Sequence, residues 1–215
     1  MKITKKMMVS LLALALVFAF SGCDSSGGGD GGMGNTLSIS GEQVYNPGGA
    51  TVYSGPDLTV SSNVGFSGNI EDGKLTFSAG TPAYLQPLDN FLTSGGEFAS
   101  FLSYFSYSPG GTQYANLQLT TSNGQLSKFA YSTSGTSATQ EMVWFIYVDR
   151  DCTIARPAGT TSMSGYNVTN QDINLNLKTG WNAVAIRYTI DNTAKTGTAN
   201  VSSGNSSSCK WTFGL

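Results

Sequence analysis

Few residues in this chain are of a type that does chemistry, and one absence narrows the choice. The chain has no histidine. It therefore lacks the side chain that most often acts as a general base near neutral pH, ligates metals or completes a nucleophilic triad. The glycine run at 27–32 neither follows a strand nor opens a helix, so it is no phosphate loop. A carboxylate pair remains: Asp149 and Asp151 flank Arg150 in the stretch VDRDC. On a strand these two side chains share one side, about 6–7 Å apart. That separation suits the acids of a glycosidase or a calcium site. It suits equally a solvated strand end in which Arg150 or Arg156 pairs with them, and no EF-hand spacing accompanies them. The structural role is the expectation, and no catalytic residue, cofactor or metal site is assigned.

Aromatic rings are the second resource, with 10 Tyr, 11 Phe and 3 Trp. Stacked rings on an open face bind sugars. Tyr104, Tyr107 and Tyr114 surround a Pro-Gly-Gly turn at 109–111, and Trp181 starts a strand beside a turn. These four are the candidate ligand-contact aromatics. Trp144 and Trp211, inside apolar strands, read as core.

Positioning these residues falls to strands. From Leu37 onward, period-two alternation and β-branched or aromatic residues dominate. Strands are expected at 37–40, 50–54, 57–61, 64–70, 74–78, 114–121, 126–132, 141–149, 172–178, 181–190, 197–202 and 210–214. Asp72-Gly73 and Asn123-Gly124 supply the positive φ of tight hairpins, and Thr179-Gly180 is expected to close a third. The stretch 141–149 is apolar on both faces and reads as a central strand. Phe98, Phe101, Leu102 and Phe105 fall at helical spacing, so a short helix or compact loop is expected within 96–111. The Ser/Gly/Thr stretch 132–139 reads as an exposed loop. The expected fold is an all-β antiparallel sandwich, jelly-roll or Ig-like, with one short helix.

The first residues set the location. Lys2, Lys5 and Lys6 precede an apolar run from Met7 to Phe20, shorter than the ~20 residues needed to span a bilayer. The run closes on Phe20-Ser21-Gly22-Cys23. This stretch resembles the lipobox of bacterial lipoproteins, with Phe where Leu is usual. The resemblance implies cleavage before Cys23 and attachment of acyl chains, palmitate among them, to that cysteine. The alternatives are an ordinary secretory signal with an incidental cysteine, or a short core helix. Two or more acyl chains hold stably where one holds reversibly. Residues 1–22 are then signal peptide and 23–35 a lipidated tether. Its glycine-rich coil, over 12 residues, has a root-mean-square span of about 17–20 Å. The folded domain is 36–215. Further on, NIEDGKLTFSAGTPAYLQPL, WFIYVDRDCTI, NLNLKTGWNAVAIRY and KWTF resemble stretches of uncharacterised bacterial cell-surface lipoproteins. That resemblance implies a β-sandwich and brings no catalytic residue or ligand.

With Cys23 lipidated, Cys152 and Cys209 form an even pair in an exported protein, where disulfides persist. A bridge between them would close a loop of ~57 residues and add roughly 4 kcal/mol by restricting the unfolded chain. The alternative is two separate buried thiols. Three of the 11 basic residues lie in the signal, which leaves 8 against 13 acidic ones, a net −5. A mildly acidic chain without a basic block is not built to neutralise phosphates, so no nucleic-acid partner is expected. The expectation is a non-catalytic envelope lipoprotein, anchored by lipid in the outer membrane or cell surface, or on the periplasmic face. Its partner would be an envelope or host protein. A glycan-binding module is the alternative, and a carboxylate glycosidase comes third.

Overall fold

The structure, a computed structural model, describes residues 32–93 and 105–214. Strands β1 (Gly32–Gly34), β2 (Leu37–Tyr45), β3 (Leu58–Ser62), β4 (Ser67–Glu71) and β5 (Lys74–Ala79) come first. β6 (Gln86–Pro87) leads into a single helical turn and a half, α1 (Leu88–Thr93). Next are β7 (Ser106–Ser108), β8 (Gln113–Asn116), β9 (Leu119–Thr121), β10 (Gly124–Ser134) and β11 (Ser137–Val148). β12 (Cys152–Arg156), β13 (Gly159–Met163), β14 (Tyr166–Asn170) and β15 (Ile173–Leu177) follow. β16 (Gly180–Asp191), β17 (Thr196–Ser203) and β18 (Lys210–Phe213) complete the order.

The fold is all-β. Seven strands pair in a closed ring, β10-β18-β2-β5-β4-β3-β9 and back to β10. Closure leaves no open edge in the ring. Alternation explains what fills it: Leu37, Ile39, Val60, Ile70, Leu75, Phe77, Leu119 and Leu126 are all buried. The Asp72-Gly73 hairpin forms as expected, with both residues at positive φ and Glu71 opposite Lys74. Leu126 also pairs with Leu119 across the turn at Asn123.

An arm leaves the ring through β11, in the order β10-β11-β16-β17-β14-β13. β11 is central, as its doubly apolar sequence requires. β16 runs along its whole length, while β10 and β8 divide its other edge. β17 covers β16 from Val184 onward and β1 covers Trp181 and Asn182. A separate three-stranded sheet, β15-β12-β7, buries Ile173, Leu175, Leu177, Cys152 and Ile154, with β15 lying against β17. Two pairs are parallel, β14–β17 and β18–β2; the other ladders are antiparallel.

Several expectations change. Gly32–Gly34, placed in the tether, is a strand on β16, so the folded body begins earlier than residue 36. Residues 132–139 form the paired ends of β10 and β11, with only Gly135 and Thr136 at the tip. Thr179-Gly180 closes no hairpin: β15 pairs with β12 in one sheet and β16 with β11 in the other, so this turn carries the chain between sheets. Residues 94–104 of the expected helical stretch lie outside the described residues, and Ser106–Ser108 within it are strand. The Cys152–Cys209 bridge is absent; both are free, buried thiols. Cys152 opens β12 in the small sheet, while Cys209 precedes β18 in the closed ring, and no strand pairing joins the two. Burial pushes both thiols up to about 11.

Candidate functional site

The sequence-predicted residues gather near one end of β11. The strand finishes at Val148, and the bend that follows turns Asp149 and Asp151 to different neighbours. Asp149 accepts the Gln113 backbone N–H at 2.9 Å and the Arg150 guanidinium at 2.7 Å. Asp151 accepts the Thr179 backbone N–H at 2.8 Å and its hydroxyl at 2.9 Å, with Lys178 Nζ at 3.4 Å. The pair is not a facing pair on a strand. The Arg150 contact holds the Asp149 carboxyl below the usual range, and the Thr179 backbone N–H does the same for Asp151. A glycosidase needs one carboxyl with a raised pKa to protonate the leaving group. Both carboxylates here are shifted the other way and serve to tie the bend to β8 and to the β15–β16 turn.

The candidate aromatics do not form a platform. Tyr104 lies outside the described residues. Tyr114 is buried in β8, and the same burial raises its phenol. Tyr107 is half-buried and donates to Asp89 Oδ2 at 2.8 Å; that hydrogen bond to a carboxylate raises its phenol too. Trp181, placed as a contact residue, is fully buried. Its indole N–H donates to the Gly80 carbonyl at 3.0 Å and its ring meets Tyr147 edge-on, with centroids 5.6 Å apart. The loop after β5 roofs the strand start that sequence position alone suggested was open. Trp144 and Trp211 are buried as expected. Among the described residues no group of three or more Cys, Asp and Glu is placed to hold a metal ion.

Two features were missed. Lys128 is buried in β10 and its Nζ stands 2.7 Å from Glu42 Oε2. The Trp211 indole N–H donates to the same oxygen at 2.8 Å, and Lys128 Nζ lies 5.8 Å from the centre of the Trp211 ring. A bulge in β2 between Ser40 and Glu42, with Gly41 at φ +70°, re-aims Glu42 toward this pair. The signal was present: Lys128 stands two residues after Leu126 and so on the same face. The second feature is a row of threonines in register across the arm, Thr139, Thr189, Thr198, Thr169 and Thr160, one per strand from β11 to β13. The first two and the last two share hydroxyl contacts of 3.0 Å.

No family model, curated protein or solved structure matches this chain.

Proposed function

We propose that this chain is a lipid-anchored bacterial envelope protein whose body is a non-catalytic interaction or structural module. The observation that carries the reading is an apolar run closing on Ser21-Gly22-Cys23, nine positions before an all-β body begins at Gly32. Acyl chains on Cys23 supply the affinity for the membrane, about 0.8 kcal/mol for each buried CH₂. We read the body as a closed ring joined to a two-layer sandwich, in which the small sheet β15-β12-β7 stacks on the arm. The carboxylates at the end of β11 support a non-catalytic role, because each is held ionised by contacts that brace the fold. Metabolic labelling with palmitate in the native bacterium tests the anchor. Wild type should carry label and fractionate with membranes, and Cys23→Ala should lose the label and the membrane association together. An unlabelled wild-type protein would remove the reading.

A further inference from the structure

The point at which β1 joins the body defines an end of the molecule. Gly32 lies opposite Asn182 and Gly34 opposite Trp181, at the start of β16. Gly180 of β16 is opposite Val148 of β11, Val148 is opposite Tyr114 of β8, and Tyr114 is opposite Gln86 of β6. Four strand-to-strand steps of about 4.8 Å therefore place β6 within roughly 20 Å of β1. The loop leading into β6 is uncharged from Gly80 to Pro87. It is fixed at its base, where the Gly80 carbonyl takes the Trp181 indole and Pro82 is buried. Ala83 and Pro87 are exposed, and Tyr84 is 74% exposed. Among the described residues the other exposed large apolar side chains are Val52 and Tyr131. Tyr131 lies on β10 toward the hairpin at Gly135, and Val52 bridges to Tyr45 at the far end of β2. Of the three, Tyr84 is on the loop whose base is bonded to Trp181, the residue opposite Gly34 of the strand that leads to Cys23.

We propose that the Gly80–Pro87 loop rests on the lipid surface, with Tyr84 at headgroup level. This rests on the lipid-anchor reading. The length of chain between anchor and body argues for the membrane as occupant: eight residues separate Cys23 from Gly32, and a glycine-rich coil of that length spans about 15 Å on average. An aromatic ring with one polar end is the side chain that favours the membrane–water interface. Charge does not drive the contact, since the neighbouring cations are already paired, Arg150 with Asp149 and Lys178 with Asp151. The contact should therefore form on zwitterionic lipid and persist in salt, where an electrostatic contact would be screened.

The lipidated full chain in phosphatidylcholine vesicles tests this, with an environment-sensitive fluorophore on Ala83→Cys or Thr193→Cys and headgroup nitroxide lipids as quencher. The native thiols Cys152 and Cys209 are buried and do not compete for label. The label at 83 should be quenched several-fold more than the label at 193, equally at low and high salt. Adding Tyr84→Ser should reduce that difference while the protein still floats with the vesicles. Equal quenching at both positions, indifference to Tyr84→Ser, or loss of the difference in salt would overturn the proposal with the anchor intact. A Cys23 without acyl mass, read by mass spectrometry, would remove the anchor and the proposal together.

Discussion

Lys128 brings a charge into a packed part of the structure, and its energetics depend on one oxygen. Removing a carboxylate or ammonium from water costs several kcal/mol, and only close pairing with further hydrogen bonds offsets this. Glu42 Oε2 receives both Lys128 Nζ and the Trp211 indole N–H, which offsets part of that cost, while Glu42 Oε1 is buried with no hydrogen-bond partner among the described residues. The pair also spans the closure of the ring, because Lys128 is on β10, Glu42 on β2, and β18 runs between them. Deleting one partner is then worse than deleting both. Lys128→Met should destabilise by about 2 kcal/mol, since it leaves a half-buried carboxylate without its charge partner. The double variant Lys128→Met with Glu42→Leu should recover a large part of the loss. Urea midpoints of the two variants check this, and equal midpoints would mean that the charges are solvated. Alternation from Leu126 puts Lys128 on the same face, yet a lysine in a strand is ordinarily read as solvent-facing. Its partner lies 86 residues away, and the bulge that aims it has no strong signature beyond Gly41.

At the scale of elements, the crossing from β15 to β16 decides whether the two sheets meet. Two residues, Lys178 and Thr179, make the passage to Gly180, and Asn182 clamps it: it accepts the Lys178 N–H and donates to the Lys178 and Gly180 carbonyls. Asp151 holds Thr179 from the other side. Gly180 has φ +101°, and a Cβ there would run into the carbonyl of Gly34 on β1. Only glycine meets both conditions, the left-handed backbone and the close approach. Gly180→Val should lower stability by more than ~1 kcal/mol and loosen β1, which hydrogen exchange at Gly34 would report as faster exchange. An unchanged exchange rate would separate β1 from the turn. This crossing also marks what the sequence shows and what it hides. The period-two pattern of Ile173, Leu175 and Leu177, and of Val184, Ile186 and Tyr188, identifies strands and one buried face of each, although Trp181 and Ala183 on the other face of β16 are buried too. Pattern does not say which strand pairs with which, so the short link between them reads as a hairpin. β13 and β14 went unseen because Thr, Ser and Asn fill their outer faces and leave few apolar markers. Trp181 read as exposed because the loop at Gly80 that covers it is 101 residues away in sequence.

Across the whole molecule, the ring, the arm and the small sheet are held together without a disulfide between Cys152 and Cys209. Setting Cys23 aside leaves an even pair of cysteines, and the pair suggests a bridge, but parity carries no information about position. Cys152 starts a strand of the small sheet and Cys209 precedes a strand of the ring, each buried among its own neighbours. Burial disfavours the thiolate, so both stay protonated and unreactive in the folded state, with values near 11 against about 8.5 for a free thiol. Because the folded-state values lie above the unfolded ones, their contribution to stability is complete below about 8.5 and is lost as the pH rises through about 11. The buried phenols of Tyr114 and Tyr188 are raised as well and act in the same direction. Stability should therefore decline on the alkaline side while reductant at neutral pH leaves the melting temperature unchanged. Iodoacetamide should modify neither Cys152 nor Cys209 at neutral pH in the native protein and both in urea, read as intact mass. A reductant-sensitive melting temperature, with no alkylatable thiol in urea, would show that the two sheets are bridged after all and that the cohesion of this fold is partly covalent.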